Sequence, residues 1–94
     1  MLRGGAWKGN QLISERWIDA CIRPCALNPS YGMMWWLNTT GEAAPAASRS
    51  SYFARGVGLN IVWIDPENDI VVVVRWIEKE DFPGFAEKVM AAIN

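Results

Sequence analysis

Apolar residues recur at helical spacing near the start of the chain. The face that they mark comprises Trp17, Ile18, Cys21 and Ile22. This spacing predicts a short amphipathic helix. Ser14 suits its N-cap, because a serine hydroxyl accepts a hydrogen bond from a backbone N–H of the first turn, and Pro24 ends it. The glycine-rich residues 3–10 before the helix predict a turn or a tight hairpin.

Strand-like runs occupy the middle of the chain. Residues 31–37 are rich in aromatic side chains, which favours a strand. Residues 53–65 predict a strand interrupted by glycines, and the sequence Asp-Pro-Glu-Asn at residues 65–68 predicts a turn. Residues 70–77 are apolar at nearly every position. They therefore predict a strand that is covered on both faces.

A second helix is predicted at the end of the chain, with Pro83 in its first turn. Its apolar stripe comprises Phe85, Val89, Met90 and Ile93. Residues 38–51 are dominated by Thr, Gly, Ala, Pro and Ser, which predicts a flexible surface loop. The order helix, strand, loop, strand, strand, helix predicts an α+β fold. We expect the two later strands to form an antiparallel hairpin with the terminal helix across one face of the sheet.

The composition suggests that this apolar surface packs against further protein. The chain has 94 residues, of which 51% are hydrophobic, and six are tryptophans. A body of this size buries only about 60–65% of the surface that its unfolded chain exposes. Residues 1–94 are therefore expected to be a fragment of a larger domain, whose remainder would cover the excess apolar surface.

Charge and cysteine content exclude several classes of function. The net charge is −1 with scattered basic residues, so no nucleic-acid partner is predicted. There is no histidine, and two thiols without further ligands do not make a zinc site, so no metal and no cofactor are expected. Cys21 and Cys25 are predicted to be ordinary half-buried thiols, with a disulfide or redox pair as the alternative. No apolar run is long enough to cross a bilayer, so no membrane segment is predicted, and the sequence leaves the compartment open.

The segment with the clearest chemical potential runs from Arg55 to Gly58. Gly56 and Gly58 flank Val57, and glycine in a strand usually marks a bulge or a close backbone approach. The functional alternative is a strand edge freed of side chains, at which a substrate carbonyl reaches backbone N–H donors. Arg55 fits either a solvated surface charge, which the local pattern favours, or a clamp for a substrate carboxylate.

Other polar and aromatic residues are given structural roles. Trp35 and Trp36 are adjacent on a strand, so one is expected in the core and the other along a groove. The remaining tryptophans are assigned to the core or to an interface: Trp7, Trp17, Trp63 and Trp76. The acidic cluster Asp65, Glu67 and Asp69 is assigned to turn geometry and solubility. Arg75 lies in an apolar run and is expected to pair with a carboxylate.

No catalytic nucleophile is visible. The serines are Ser14, Ser30, Ser48, Ser50 and Ser51, and none is followed three residues later by lysine. A Tyr-x-Asn sequence and a Gly-x-Ser-x-Gly elbow are also absent. No residue of the chain is therefore assigned a catalytic role.

Four segments taken together resemble the C-terminal part of the serine β-lactamase-related hydrolases, which include class C β-lactamases, penicillin-binding-protein-like peptidases and esterases. The matching segments, in the order of the family, are residues 5–14 (GAWKGNQLIS), 31–36 (YGMMWW), 53–60 (FARGVGLN) and 65–73 (DPENDIVVV). The resemblance spans nearly the whole chain and is weakest across residues 38–51. It implies the C-terminal portion of a β-lactamase/transpeptidase-like fold, with an antiparallel sheet flanked by helices.

The resemblance also implies a reaction. In that family a Ser-x-x-Lys motif and a Tyr-x-Asn motif precede the region seen here, and a Lys-Thr-Gly-like triplet lines the cleft. The triplet maps onto Ala54-Arg55-Gly56, and this departure favours an ester or amide substrate over a β-lactam. Val57 would donate its backbone N–H to the oxyanion. Oxyanion and substrate contacts are thus expected at Arg55, Gly56, Val57 and Gly58.

The expected function is a segment of a serine hydrolase that acts through an acyl-enzyme on a small-molecule ester or amide. The segment would supply the oxyanion strand and a cleft wall, with the remainder of the parent domain as its partner, and would be inert alone. The alternatives are a non-catalytic binding module that uses exposed tryptophans, and a degenerate remnant.

Overall fold

The computed structural model, which describes residues 1–94, contains six strands and two helices. In chain order they are β1 (Ala6–Trp7), β2 (Asn10–Gln11), α1 (Glu15–Cys21), β3 (Trp36–Leu37), β4 (Tyr52–Gly56), β5 (Asn60–Asp65), β6 (Ile70–Val74) and α2 (Phe82–Ile93). Strands β3 to β6 form one antiparallel sheet in chain order, and β1 and β2 form a separate hairpin. The predicted α+β class is confirmed, and so is the tight hairpin within residues 3–10.

Helix α1 begins as the sequence predicts. The Ser14 hydroxyl accepts a hydrogen bond from the backbone N–H of Trp17 at 3.1 Å, which caps the first turn. Ile18 and Cys21 are buried, but the Trp17 side chain is 56% exposed. The prediction that Trp17 shares the buried face is therefore wrong, because only the residues three apart, Ile18 and Cys21, point into the protein.

The glycine segment is a turn between two strands and not an interruption of one strand. Gly56 pairs with Asn60, so Val57, Gly58 and Leu59 form the tip of the β4–β5 hairpin. Gly58 has φ +78° and Leu59 has φ +48°, which are the left-handed conformations that reverse the chain. The prediction of one strand over residues 53–65 is thus corrected to two antiparallel strands.

The aromatic run of residues 31–37 forms a much shorter strand than predicted. Only Trp36 and Leu37 pair with β4. Tyr31 bridges back to Trp36, and Met34 has φ +65°, so the chain folds on itself before β3. Strand propensity was outweighed here by a local reversal at Met34.

The main core lies between the sheet and α2, as predicted for a terminal helix across one face. It contains Phe53, Ile61 and Trp63 from the sheet, which pack against Phe82 and Ala86 of α2. The opposite face of the sheet carries a smaller cluster of Leu37, Tyr52 and Ile64. Neither helix is long and apolar enough to cross a lipid bilayer.

Residues 38–51 form a loop without helix or strand, as their composition predicts, and many of them are exposed, but part of the loop is buried. Ala44 and Ala47 are buried in the main core. The amide of Asn38 donates to the carbonyls of Ala44 at 2.9 Å, Ala47 at 3.3 Å and Ser48 at 3.0 Å. Its carbonyl oxygen accepts from the Ala44 N–H at 3.1 Å. One buried side chain thus satisfies backbone groups that would otherwise require water.

Asp65 anchors a second buried polar cluster. Its carboxylate accepts from the Ser48 hydroxyl at 2.8 Å, and from the backbone and side-chain N–H groups of Asn68 at 3.2 and 2.9 Å. The Ser48 hydroxyl lies 3.1 Å from that of Ser51, which accepts from the Trp63 indole at 2.9 Å. The predicted role of Asp65 in the turn is confirmed, whereas a role in solubility is not, because Asp65 is fully buried.

Strand β6 and Arg75, which follows it, are more exposed to solvent than the sequence predicts. Val71 and Val73 are 50% and 65% exposed, so one face of this strand is uncovered. Arg75 lies beyond β6, is exposed, and has no carboxylate within 4.0 Å; the only ion pair joins Arg3 to Asp69. The predictions of a strand covered on both faces and of a paired Arg75 are wrong for this chain.

The two thiols and the tryptophans differ in how deeply they are buried. Both cysteines are free, with Cys21 buried and Cys25 exposed. Trp63 is a core residue, as predicted. The side chains of the other three tryptophans assigned to the core or an interface are more than half exposed: Trp7, Trp17 and Trp76. A core position is therefore wrong for these three, and an interface role stays a prediction.

The Asp65 cluster makes stability depend on pH. Burial would raise the pKa of Asp65, but the hydrogen bonds from Ser48 and Asn68 outweigh it and lower this pKa below its ordinary value. A lowered carboxyl pKa stabilises the fold above the unfolded-state pKa of about 3.9 and loses that contribution as the pH falls through the folded-state pKa.

We therefore expect Asp65→Asn to reduce the unfolding free energy at neutral pH by about 1–3 kcal/mol. The substitution replaces a charged acceptor with an amide, whose NH₂ group would face the hydrogen-bond donors of Ser48 and Asn68 in a buried site. Chemical denaturation between pH 3 and pH 7 would measure this, and the loss should shrink towards the acidic end. The matched control is Asp19→Asn, which changes an exposed carboxylate that makes no hydrogen bond. An equal loss at all pH values would contradict the assignment.

Candidate functional site

The predicted site residues lie at the end of β4 and in its turn. Val57 is 95% exposed, and its backbone N–H donates no hydrogen bond within the chain. Its carbonyl accepts from the Asn60 side chain at 2.8 Å, which fixes the peptide on its other side. The turn therefore presents a free but solvent-exposed backbone donor on a braced loop, and stabilising an oxyanion there would also require that water be excluded from it.

The edge of β4 beside this turn is open. Strand β3 covers only Tyr52 and Phe53. The carbonyl of Ser51 accepts from the Asn38 N–H at 3.0 Å, so the backbone hydrogen-bonding groups of Ser51 point towards β3. Because these groups alternate in direction along a strand, those of Phe53 and Arg55 point the same way. Strand β3 is too short to pair with Arg55. The backbone N–H and C=O of Arg55 consequently face an unpaired edge, at which an extended ligand could form strand-like hydrogen bonds.

A cleft of about 310 Å³ runs along this edge. Trp36, Glu42, Arg55 and Lys79 are among the residues that line it. Trp36 is 38% exposed, while Trp35 packs edge-on against Tyr52 with ring centroids 5.2 Å apart. The prediction that one of the two adjacent tryptophans faces a groove is confirmed for Trp36, whereas Trp35 is half-buried at the edge of the smaller cluster and is not a core residue.

Arg55 is not the solvated surface charge that the local pattern favours. Its guanidinium lies 5.3 Å from the Phe53 ring centroid and 5.8 Å from that of Phe82. Its Nε is buried without an acceptor, and no carboxylate comes within 4.0 Å. Burial lowers the pKa of Arg55, although an arginine remains protonated in any such site. Arg55 is thus an unpaired, half-buried cation beside the cleft.

Trp76 packs on the turn, a contact that the sequence reasoning missed. A Cβ atom placed on Gly58 would lie 2.2 Å from Cζ3 of the indole, so only glycine fits beneath the ring. Trp76 itself has φ +55° and is 69% exposed, which is a costly conformation for a bulky residue. The glycine was a usable signal, because a strand glycine often marks such close approach.

One serine borders this site: Ser30 is among the residues that line the cleft, but no hydrogen bond joins its hydroxyl to a base. Ser14 caps α1, and Ser48 and Ser51 are engaged in the Asp65 cluster. Across the chain no three His, Cys, Asp or Glu side chains converge as a metal site would require. The site therefore combines backbone donors, two unpaired cations and an aromatic wall with a serine that no neighbouring base activates.

Comparisons with protein-family models and with curated proteins find no match to this sequence. The chemical assignment of the site therefore rests on the geometry described above and on the resemblance of the four sequence segments.

The contact between Gly58 and Trp76 generates a test of the turn. We expect Gly58→Ala to destabilise the protein by about 2–4 kcal/mol, the sum of a left-handed φ, at about 1–2 kcal/mol, and of overpacking against the indole. In a Trp76→Ala background only the conformational part should remain, at about 1–2 kcal/mol. Thermal and chemical unfolding of the four proteins in this double-mutant cycle would measure the difference. Equal losses in both backgrounds would show that the indole does not rest on Gly58.

Proposed function

We propose that the chain is the C-terminal segment of a β-lactamase-related serine hydrolase, in which it supplies the oxyanion strand and one wall of the cleft. The observation that carries this proposal is the free N–H of Val57 in a braced turn beside the open edge of β4. In the complete enzyme this N–H would donate to the oxygen that gains negative charge when the carbonyl is attacked.

The reaction is acyl transfer through a serine ester. A serine from the remainder of the domain gives its proton to a base there and attacks the carbonyl, and the tetrahedral intermediate expels the protonated alcohol or amine to leave an acyl-enzyme. Water then hydrolyses the acyl-enzyme to the acid and the free serine. The unpaired edge at Arg55 would align the substrate. The triplet Ala54-Arg55-Gly56 lacks the Lys and Thr of the β-lactam-hydrolysing pattern, so the proposed substrate is an ester or amide.

The sheet offers a surface for the remainder of the domain. Val62 is opposite Val73, and Ile64 is opposite Val71, so these side chains share the face away from α2. Val71 and Val73 are exposed there, and β6 is the last strand of the sheet. An uncovered valine face with an unpaired edge strand is typical of a sheet that continues or packs elsewhere. This supports the finer assignment to a β-lactamase/transpeptidase-like fold.

The proposal predicts that the 94-residue chain is inert alone. With a chromogenic ester and a chromogenic β-lactam, we expect rates indistinguishable from buffer, because no serine is followed three residues later by lysine. Ser48, which donates to the Asp65 carboxylate, does not line the cleft. A Ser30→Ala variant would report on the serine that lines the cleft. Turnover well above buffer that any serine substitution abolishes would contradict the fragment assignment.

A second test uses the complete protein, after the DNA upstream of the Met1 codon has been sequenced. The proposal expects an open frame that encodes Ser-x-x-Lys and then Tyr-x-Asn. In that protein Val57→Pro should lower kcat about 10²–10³-fold, since proline removes the N–H. Val57→Ala is the matched control, because it retains the N–H and should retain the rate. Equal rates for the two variants, or a stop codon and ribosome-binding site just before Met1, would overturn the proposal.

The exposed tryptophans favour a second candidate function, a binding module. Trp7 and Trp76 are 63% and 69% exposed, and tryptophan is enriched at interfaces. This candidate predicts a monodisperse chain that unfolds cooperatively and whose melting temperature is raised by a partner chain or an oligosaccharide. An aggregating or molten product would count against it.

A further inference from the structure

A second cavity, of about 140 Å³, lies between the β4–β5 hairpin, the loop at Glu42 and the beginning of α2. Its charged lining consists of Glu42, Arg55 and Lys79, and these three residues also border the cleft along β4. Its apolar wall includes Leu59 and Ile61. The cavity is therefore a mixed pocket that adjoins the candidate site.

Arg55 provides the donor that lacks a partner here. Its Nε is buried, and no protein acceptor lies within hydrogen-bond distance. Buried polar groups are nearly always paired, so the orphaned Nε calls for an acceptor that the chain does not supply, either a water molecule or an anion. The guanidinium is held over the Phe53 and Phe82 rings, so it is positioned without help from a carboxylate. A cation fixed in this way is prepared for an anion from outside the chain.

The charges of the pocket match a monoanion. Arg55 and Lys79 are positive and Glu42 is negative, so these three residues carry a net charge of +1. Glu42 does not neutralise either cation, because no carboxylate oxygen lies within 4.0 Å of Arg55 or Lys79. One carboxylate would bring the pocket to neutrality, whereas a phosphate dianion would exceed it.

The volume and the lining of the cavity restrict the size and the chemical class of the ligand that it can hold. A cavity of about 150 Å³ is known to hold a molecule the size of benzene, so 140 Å³ accommodates a carboxylate with a short hydrocarbon part. The planar fork of an arginine matches the two oxygens of a carboxylate. Leu59 and Ile61 would contact the hydrocarbon, which a free inorganic oxoanion lacks.

We propose that this cavity binds a small monocarboxylate, with the carboxylate on Arg55 and Lys79 and the hydrocarbon part against Leu59 and Ile61. This binding needs no nucleophile and no further protein, so it stands independently of the proposed hydrolase function. Because three of the lining residues also border the cleft, a longer acid seated here would extend towards the edge of β4.

The test is a titration of the 94-residue chain, with the Arg Nε–Hε resonances followed by NMR. The probes are butyrate, its neutral isostere butyramide, and inorganic phosphate. We expect butyrate to shift the Arg55 resonance saturably and butyramide to leave it unchanged. Absence of a saturable butyrate shift, or an equal response to butyramide, would overturn the proposal. Phosphate binding as tight as butyrate would overturn the assignment to a carboxylate.

Substitutions of the charged residues test whether butyrate binds in this cavity. Arg55→Gln should weaken butyrate binding at least tenfold, and Lys79→Gln should weaken it severalfold. Lys79 is exposed, so its substitution keeps the test valid if Arg55→Gln fails to fold. Arg16→Gln, on the exposed side of α1, is the matched control and should bind as the parent does. Unchanged affinity in the Lys79 variant, or an equal loss in the Arg16 variant, would contradict the site.

Discussion

The structure depends on the contact of three buried aromatic side chains that join the sheet to α2. Phe53 and Trp63 are cross-strand partners in β4 and β5, and Phe82 of α2 packs against both rings, with centroids 5.8 and 6.4 Å away. Aromatic side chains bury about 150–250 Å² each and dominate the energetics of a small core. Arg55 lies two residues beyond Phe53 on the same face, so the cluster that holds the helix also positions the unpaired cation.

Trp63 links this apolar cluster to the buried polar one. Its ring packs against Phe53, while its indole N–H donates to Ser51, which lies next to Ser48 and Asp65. The irregular residues 38–51 are thereby held against the sheet by side-chain hydrogen bonds and not by strand pairing. Since these residues include Glu42, the walls of both cavities depend on the same polar network.

The features that the sequence predicted correctly have local causes. The Ser14 cap, the terminal helix and the Asp65 turn each depend on a few neighbouring residues, so pattern and turn chemistry predict them. The reversal at Val57 to Leu59 was missed because glycine marks both bulges and turns, and only the pairing of Gly56 with Asn60 distinguishes them. The half-buried position of Arg55 requires Phe82, which is distant in sequence, so no local pattern could have predicted it.

The backbone N–H of Val57 and the guanidinium of Arg55 differ in what each needs from outside the chain. In the proposed hydrolase, the Val57 N–H would stabilise charge only when a serine of the larger domain attacks the carbonyl. Arg55 already carries its charge, and the aromatic rings hold it in place. In the proposed hydrolase, the remainder of the domain would cover the exposed Val71 and Val73 and would supply the serine that acts beside Val57. A carboxylate bound at Arg55 would therefore be a property of this fold itself, whereas catalysis at Val57 would be a property of the larger domain.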